Sequence, residues 1–173
     1  DNLGIFNIGA VTWGDGVSGS SGIVGTGNSL YGPNAGDIVG SGGVYALNNG
    51  NYVVNSPNVD TVLIGSGQGA VTWRSGTSGS GTLVTAANSL FGSSHDDAIG
   101  SGGIVVLSNG NYGVVSPNWN NGAIIDAGAV TWGDGLTGTT GNVGAGNSTI
   151  GTVTNDFVGS GGAFALNNGN YVI

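Results

Sequence analysis

The chain has 173 residues and a formal charge of −8, carried by nine aspartates against the lone Arg74. It contains 39 glycines and no Glu, Lys, Cys or Met. Those absences exclude a mainly helical fold, a disulfide framework or thiolate site, and a basic surface for nucleic acid or anionic lipid.

The first predicted element is the strand Ala10-Val11-Thr12-Trp13, where small or polar residues alternate with large apolar ones, so that Val11 and Trp13 share a face. A Gly/Ser/Thr-rich turn, Asn28-Ser29 and a link containing Asp37 lead to Gly40-Ser41-Gly42-Gly43. Residues 44–47 and 52–54 then flank Asn49-Gly50, the dipeptide of a two-residue type I′ hairpin. Ser56-Pro57 ends the second arm, because proline cannot donate to a ladder. A variable loop follows, and Ala70-Val71-Thr72-Trp73 repeats the first strand. Behind it the sequence predicts a weaker strand around residues 82–86, then Asn88-Ser89-Leu90-Phe91-Gly92 and a link containing Asp97. A second hairpin pairs residues 104–107 with 112–115 and stops at Ser116-Pro117. After a third Ala129-Val130-Thr131-Trp132, a last hairpin pairs residues 163–166 with 171–173.

These elements recur at offsets of 60 and 59 residues, and so do Gly-Ser-Gly-Gly, Asn-Ser and Asn-Gly-Asn-Tyr. A period near 60 over the whole chain indicates copies of one supersecondary unit rather than a disordered glycine-rich tract. One repeat domain is expected over residues 1–173, with units 9–68, 69–127, and 128–173 with 1–8 as the split remainder. Four short antiparallel strands per unit suit a β-propeller blade. A threefold β-prism is the alternative.

The run from Ala35-Gly36-Asp37-Ile38-Val39-Gly40 through Asn55-Ser56-Pro57 to Gly69-Ala70-Val71-Thr72-Trp73 resembles the FG-GAP repeats, the blades of integrin-α-type propellers. It departs from them where Ser-Pro replaces Ala-Pro and where the Asp-x-Asp-x-Asp-Gly calcium loop is missing. The same patterns also look like repeats of large bacterial surface and haemagglutinin-like proteins. The resemblance implies propeller-type blades and an extracellular or cell-surface setting, with calcium the one ion to consider. No other cofactor is expected.

The register places strands three and four of a unit at the start of the chain and strands one and two at its end. One blade is thus split between the termini, and the two readings are an excised piece of a longer array and a self-completing module. Complementary half-blades imply a homo-oligomer, closed as a ring or open as a head-to-tail filament.

Enzymatic chemistry is not expected. His95 lies in Ser94-His95-Asp96-Asp97, where the other units have no histidine, and reads as an exposed loop residue. Asp37, Asp97 and Asp156 recur at equivalent places and read as turn caps, as do Asp15 and Asp134 in Trp-Gly-Asp-Gly. A glycan-binding reading rests on the tryptophans. Trp13, Trp73 and Trp132 occur once per unit, and would either stack on sugars or pack between sheets. Trp119, in a variable loop, is expected to be an exposed contact residue. The function expected is an extracellular structural or assembly module, part of a filament, surface layer or adhesin, with a carbohydrate-binding lectin or adhesin as the alternative.

Overall fold

The computed structural model describes residues 4–60 and 67–173, and the fold they form is all-β. The centre of the first variable loop, 61–66, lies outside the described residues. In chain order the strands are β1 (Ala10–Thr12), β2 (Ser29–Tyr31), β3 (Val44–Ala46), β4 (Tyr52–Ser56), β5 (Ala70–Arg74), β6 (Thr82–Leu83) and β7 (Ser89–Phe91). They continue as β8 (Gly103–Val106), β9 (Tyr112–Ser116), β10 (Ala129–Gly133), β11 (Gly141–Asn142), β12 (Ser148–Ile150), β13 (Phe164–Ala165) and β14 (Tyr171–Val172).

Two units are complete among the described residues. In one, β3, β4, β5 and β7 pair antiparallel in that order; in the next, β8, β9, β10 and β12 do the same. Strands β1 and β2 form the third-and-fourth-strand half of such a sheet, and β13 and β14 form the first-and-second-strand half. The two halves belong to separate sheets, with no pairing between them among the described residues. A threefold prism would need three such sheets in one chain; the described residues form two.

The fourth strand differs from expectation. The partner of β5 is Ser89–Phe91, with Thr72 opposite Ser89, and not the segment around 82–86. A hydroxyl pair selects this register: Thr72 Oγ1 and Ser89 Oγ lie 2.8 Å apart, and the equivalent pairs Thr12 with Ser29 and Thr131 with Ser148 lie at 2.7 Å. Such cross-strand pairs join the third strand of a unit to its fourth. Residues 82–83 instead leave their own sheet and run parallel to β2 of the preceding unit, with Leu30 opposite Thr82. Strand β11 joins β7 in the same way, Leu90 opposite Gly141.

The hairpin turns also differ in type. Gly50 N donates to Leu47 O at 3.0 Å and Leu47 N to Asn51 O at 2.8 Å, so the loop has three residues, and of these Gly50 alone has positive φ, at 87°. This is a type I turn closed by a left-handed glycine rather than the two-residue type I′ turn, in which both central residues need positive φ. Asn49 thereby keeps ordinary geometry, and its side chain is turned toward the next unit.

The core lies between units. Val53, Val71 and Leu90 of the first complete sheet join Tyr112, Val114 and Ala129 of the second in one buried cluster. From the opposite face of the first sheet, Val54, Ala70 and Phe91 join Leu30 and Val39 of the first unit in another. A sheet covered on both faces loses its in–out alternation, which is why β4 is buried from Val53 to Ser56.

Candidate functional site

The feature that each unit repeats is the junction with its neighbour. It begins with the tryptophan that ends the third strand. Trp13 Nε1 donates to Gly76 O at 3.0 Å, and Trp73 Nε1 donates to Gly135 O at 2.9 Å, each one unit further along the chain. The ring bodies sit over glycines: a side chain at Gly79 would meet the Trp13 ring at 2.8 Å, and one at Gly138 would meet Trp73 Cβ at 2.8 Å. Trp13 and Trp73 are therefore spent on holding units together, the packing role weighed against sugar stacking. Trp132, in the last repeat of the motif, is 42% exposed.

Asparagines of the hairpin turns complete the junction. Asn49 Nδ2 donates to Gly135 O at 2.7 Å, Asn51 Nδ2 to the same oxygen at 2.9 Å, and Asn109 Nδ2 to Gly169 O at 3.2 Å. Gly135 N is in turn bound by Asn111 Oδ1 at 3.0 Å, as Gly76 N is by Asn51 Oδ1 at 3.2 Å. Amide side chains supply both donors and acceptors, so they satisfy backbone groups of two turns at once without introducing charge. Within each sheet the hairpin turn and the turn after the third strand approach so closely that a Cβ at Gly76 would stand 1.7 Å from Gly50 O, and one at Gly135 1.8 Å from Gly110 O.

The recurring aspartates are built into turns. Asp97 Oδ2 accepts from Ser93 N and Ser94 N at 2.8 Å each, while its Oδ1 accepts from Asn120 N at 3.0 Å and Asn120 Nδ2 at 2.9 Å. Asp37 accepts from Asn34 N at 2.6 Å and from Asp60 N at 3.1 Å, and Asp156 from Thr152 N and Val153 N at 2.9 Å each. Burial raises the carboxyls of Asp37 and Asp97 above the ordinary 3.8, with those N–H donors opposing it. In the Trp-Gly-Asp-Gly turns the order reverses. Asp15 accepts from Val17 N and Ser18 N, Asp134 from Leu136 N and Thr137 N, and these backbone bonds hold both carboxyls below 3.8.

Trp119 is not the exposed residue its loop position suggests: it is 3% exposed, in the same core cluster as Leu47 and Val114, and its Nε1 has no hydrogen-bond partner. The loop folds inward because Trp119 N donates to Ser116 O and Gly128 N to Trp119 O, which closes it under β9. His95 is exposed, with Nδ1 3.0 Å from Asp96 Oδ2. Among the described residues no group of three or more His, Cys, Asp or Glu is placed to hold a metal ion. A shallow cleft of about 180 Å³ lies beside the second copy of the motif, lined by Trp73, Arg74, Ser75, Ser78 and Ser80.

Tryptophan and parallel-strand junctions of this kind define a class: an all-β repeat protein whose units are joined through one recurring set of contacts. A family model described as a repeat of unknown function (DUF5650) matches residues 1–41, 46–101 and 106–160, and the chain belongs to that family. The second and third matches each begin at the last residue of a sheet's first strand and take in its other three strands, and the first takes in the half-sheet of β1 and β2. No curated protein and no solved structure matches the chain.

Proposed function

We propose that the protein is a non-enzymatic extracellular structural module that associates with copies of itself, as propeller-type blades closing into a ring or as a head-to-tail filament, within a surface layer or adhesin. The observation that carries this reading is the junction: the aromatic, amide and glycine residues that recur from unit to unit are used to bind the next unit. Absence of Cys and Met suits an oxidant-exposed setting. Among the described residues the half-sheets β1–β2 and β13–β14 are not paired with one another, and unpaired strand edges favour pairing.

The test is molar mass by light scattering across a concentration series. A species at twice 16.7 kDa supports a ring of two chains and open-ended growth supports a filament. A monomer at every concentration refutes the reading. Carbohydrate binding is a second reading, favoured by the cleft lined by Trp73, Arg74 and three serines. Glycan-array binding that disappears on Ser78→Trp, which fills that cleft, would support it.

A further inference from the structure

From the junction geometry we infer that the face formed by Trp132, β12 and the turn at Gly169 is the docking surface for the Gly16 turn and residues 22–24 of a second copy, in the register the chain already uses twice within itself. This deepens the proposed self-association by naming its interface.

Each half of the surface is the unfilled member of a filled series. On the trailing side, Trp13 and Trp73 reach the carbonyls of Gly76 and Gly135, and Trp132 comes next. On the leading side, Gly16 is the counterpart of Gly76 and Gly135. Side chains at those two are forbidden by a turn carbonyl of the neighbouring hairpin, whereas Gly16 has nothing within 4 Å of its Cβ position and no positive φ. Nothing among the described residues requires glycine there; a neighbour's Gly169 carbonyl, the counterpart of Gly50 and Gly110, would. Gly19, the counterpart of Gly79 and Gly138, likewise lacks the tryptophan that covers the other two.

The parallel strands give the same register. Strands β2 and β7 each carry the next unit's strand on their outer edge, with Val84 N bonding Tyr31 O at 2.9 Å and Val143 N bonding Phe91 O at 3.2 Å. Strand β12 is the third of this series, and its outer edge carries no strand among the described residues. Val24 is the matching unused donor segment. Val84 and Val143 are 1% and 4% exposed; Val24 is 48% exposed and Ile23 is 92% exposed. Continuing the series places Ile23 of one copy opposite Ile150 of the other, with Val24 N on Ile150 O. The same placement sets β1 beside β14, completing the divided sheet. One translation of the internal rule therefore fills every one of these positions, and it needs no contact the chain does not already make.

The occupant is a second copy because the surface is matched, group for group, by Gly16, Gly19 and residues 22–24 of this chain. The natural sequence has no cysteine, so the test is directional cross-linking. Chains carrying Ile23→Cys and chains carrying Ile150→Cys are mixed under mild oxidation. The mixed disulfide is expected to outnumber either same-variant disulfide at least tenfold, and adding Gly16→Leu to the Ile23→Cys chain is expected to reduce it at least tenfold while leaving the thermal unfolding of that chain unchanged at concentrations where it is monomeric. Statistical yields of the three disulfides, in a chain that light scattering shows to self-associate, would overturn this interface and leave the proposed function standing on another surface. A chain that is monomeric throughout would overturn both.

Discussion

Asp97 shows what a single side chain does for the unit: one buried carboxylate receives four donors from two segments of chain. Removing it strands those donors, each at a cost of about 1 kcal/mol or more when buried. Asp97→Ala is expected to lower stability in chemical unfolding by about 3 kcal/mol, whereas Asp156→Ala, with an exposed carboxylate whose two donors water can reach, is expected to lose about 1 kcal/mol or less. Equal losses would show that the Asn120 bonds contribute little. Tyr112 supplies the pH-dependent counterpart. Burial pushes its hydroxyl up to about 12 from 10.0, with the neighbouring Thr139 groups opposing the shift. A folded value above the unfolded one means stability fully present below pH 10 and lost as pH rises from 10 towards 12. The expected result in a near-ultraviolet absorbance titration is that this tyrosine ionises last, together with loss of the fold. The roles of the aspartates as caps were legible in the sequence because Asn, Asp and Ser have few uses in glycine-rich turns. The burial of Trp119 was not, since it depends on how a loop closes beneath β9, which local composition does not encode.

Elements were legible where a pattern is local. The hairpins, the Ser-Pro stops and the Ala-Val-Thr-Trp strands all follow from alternation and turn residues. The fourth strand was missed because two short apolar segments, residues 82–86 and 89–91, compete for one edge. What decides between them is the Thr72–Ser89 hydroxyl pair and the availability of β2 as a parallel partner, both non-local. In retrospect the recurring Asn-Ser pair was the signal. Asn88 Oδ1 accepts from Thr85 N at 2.9 Å and Asn88 Nδ2 bonds Leu83 O at 2.8 Å, which fixes the turn between the two segments. The third strands also differ in what their tryptophans do. Trp73→Phe removes a bond to Gly135 O, and Trp132→Phe removes no such bond among the described residues. In dilute protein the first is expected to cost roughly 1 kcal/mol more than the second in chemical unfolding. Equal costs would mean that the indole bonds do not hold the units together.

At the scale of the whole molecule, the period near 60 was legible at once, and it is the property that the family match and the sheets share. Illegible was how the units meet. The parallel crossovers and the glycines under tryptophan rings span about one period and the asparagine contacts up to 86 residues, and no local pattern announces them. Stacking of this kind makes each unit both donor and acceptor of one set of contacts, so the chain has a leading and a trailing end. Stability in such arrays is a sum of unit and neighbour terms, and terminal units without a neighbour are the weakest. We propose that this junction also operates between molecules. Amide hydrogen exchange at Val24 tests the proposal, with Val84 and Val143 as internal standards of the same bond. Val24 is expected to exchange fast in dilute protein and to become protected as concentration rises, while Val84 and Val143 stay protected throughout. Fast exchange at Val24 at every concentration, in a sample whose mass has grown, would contradict it.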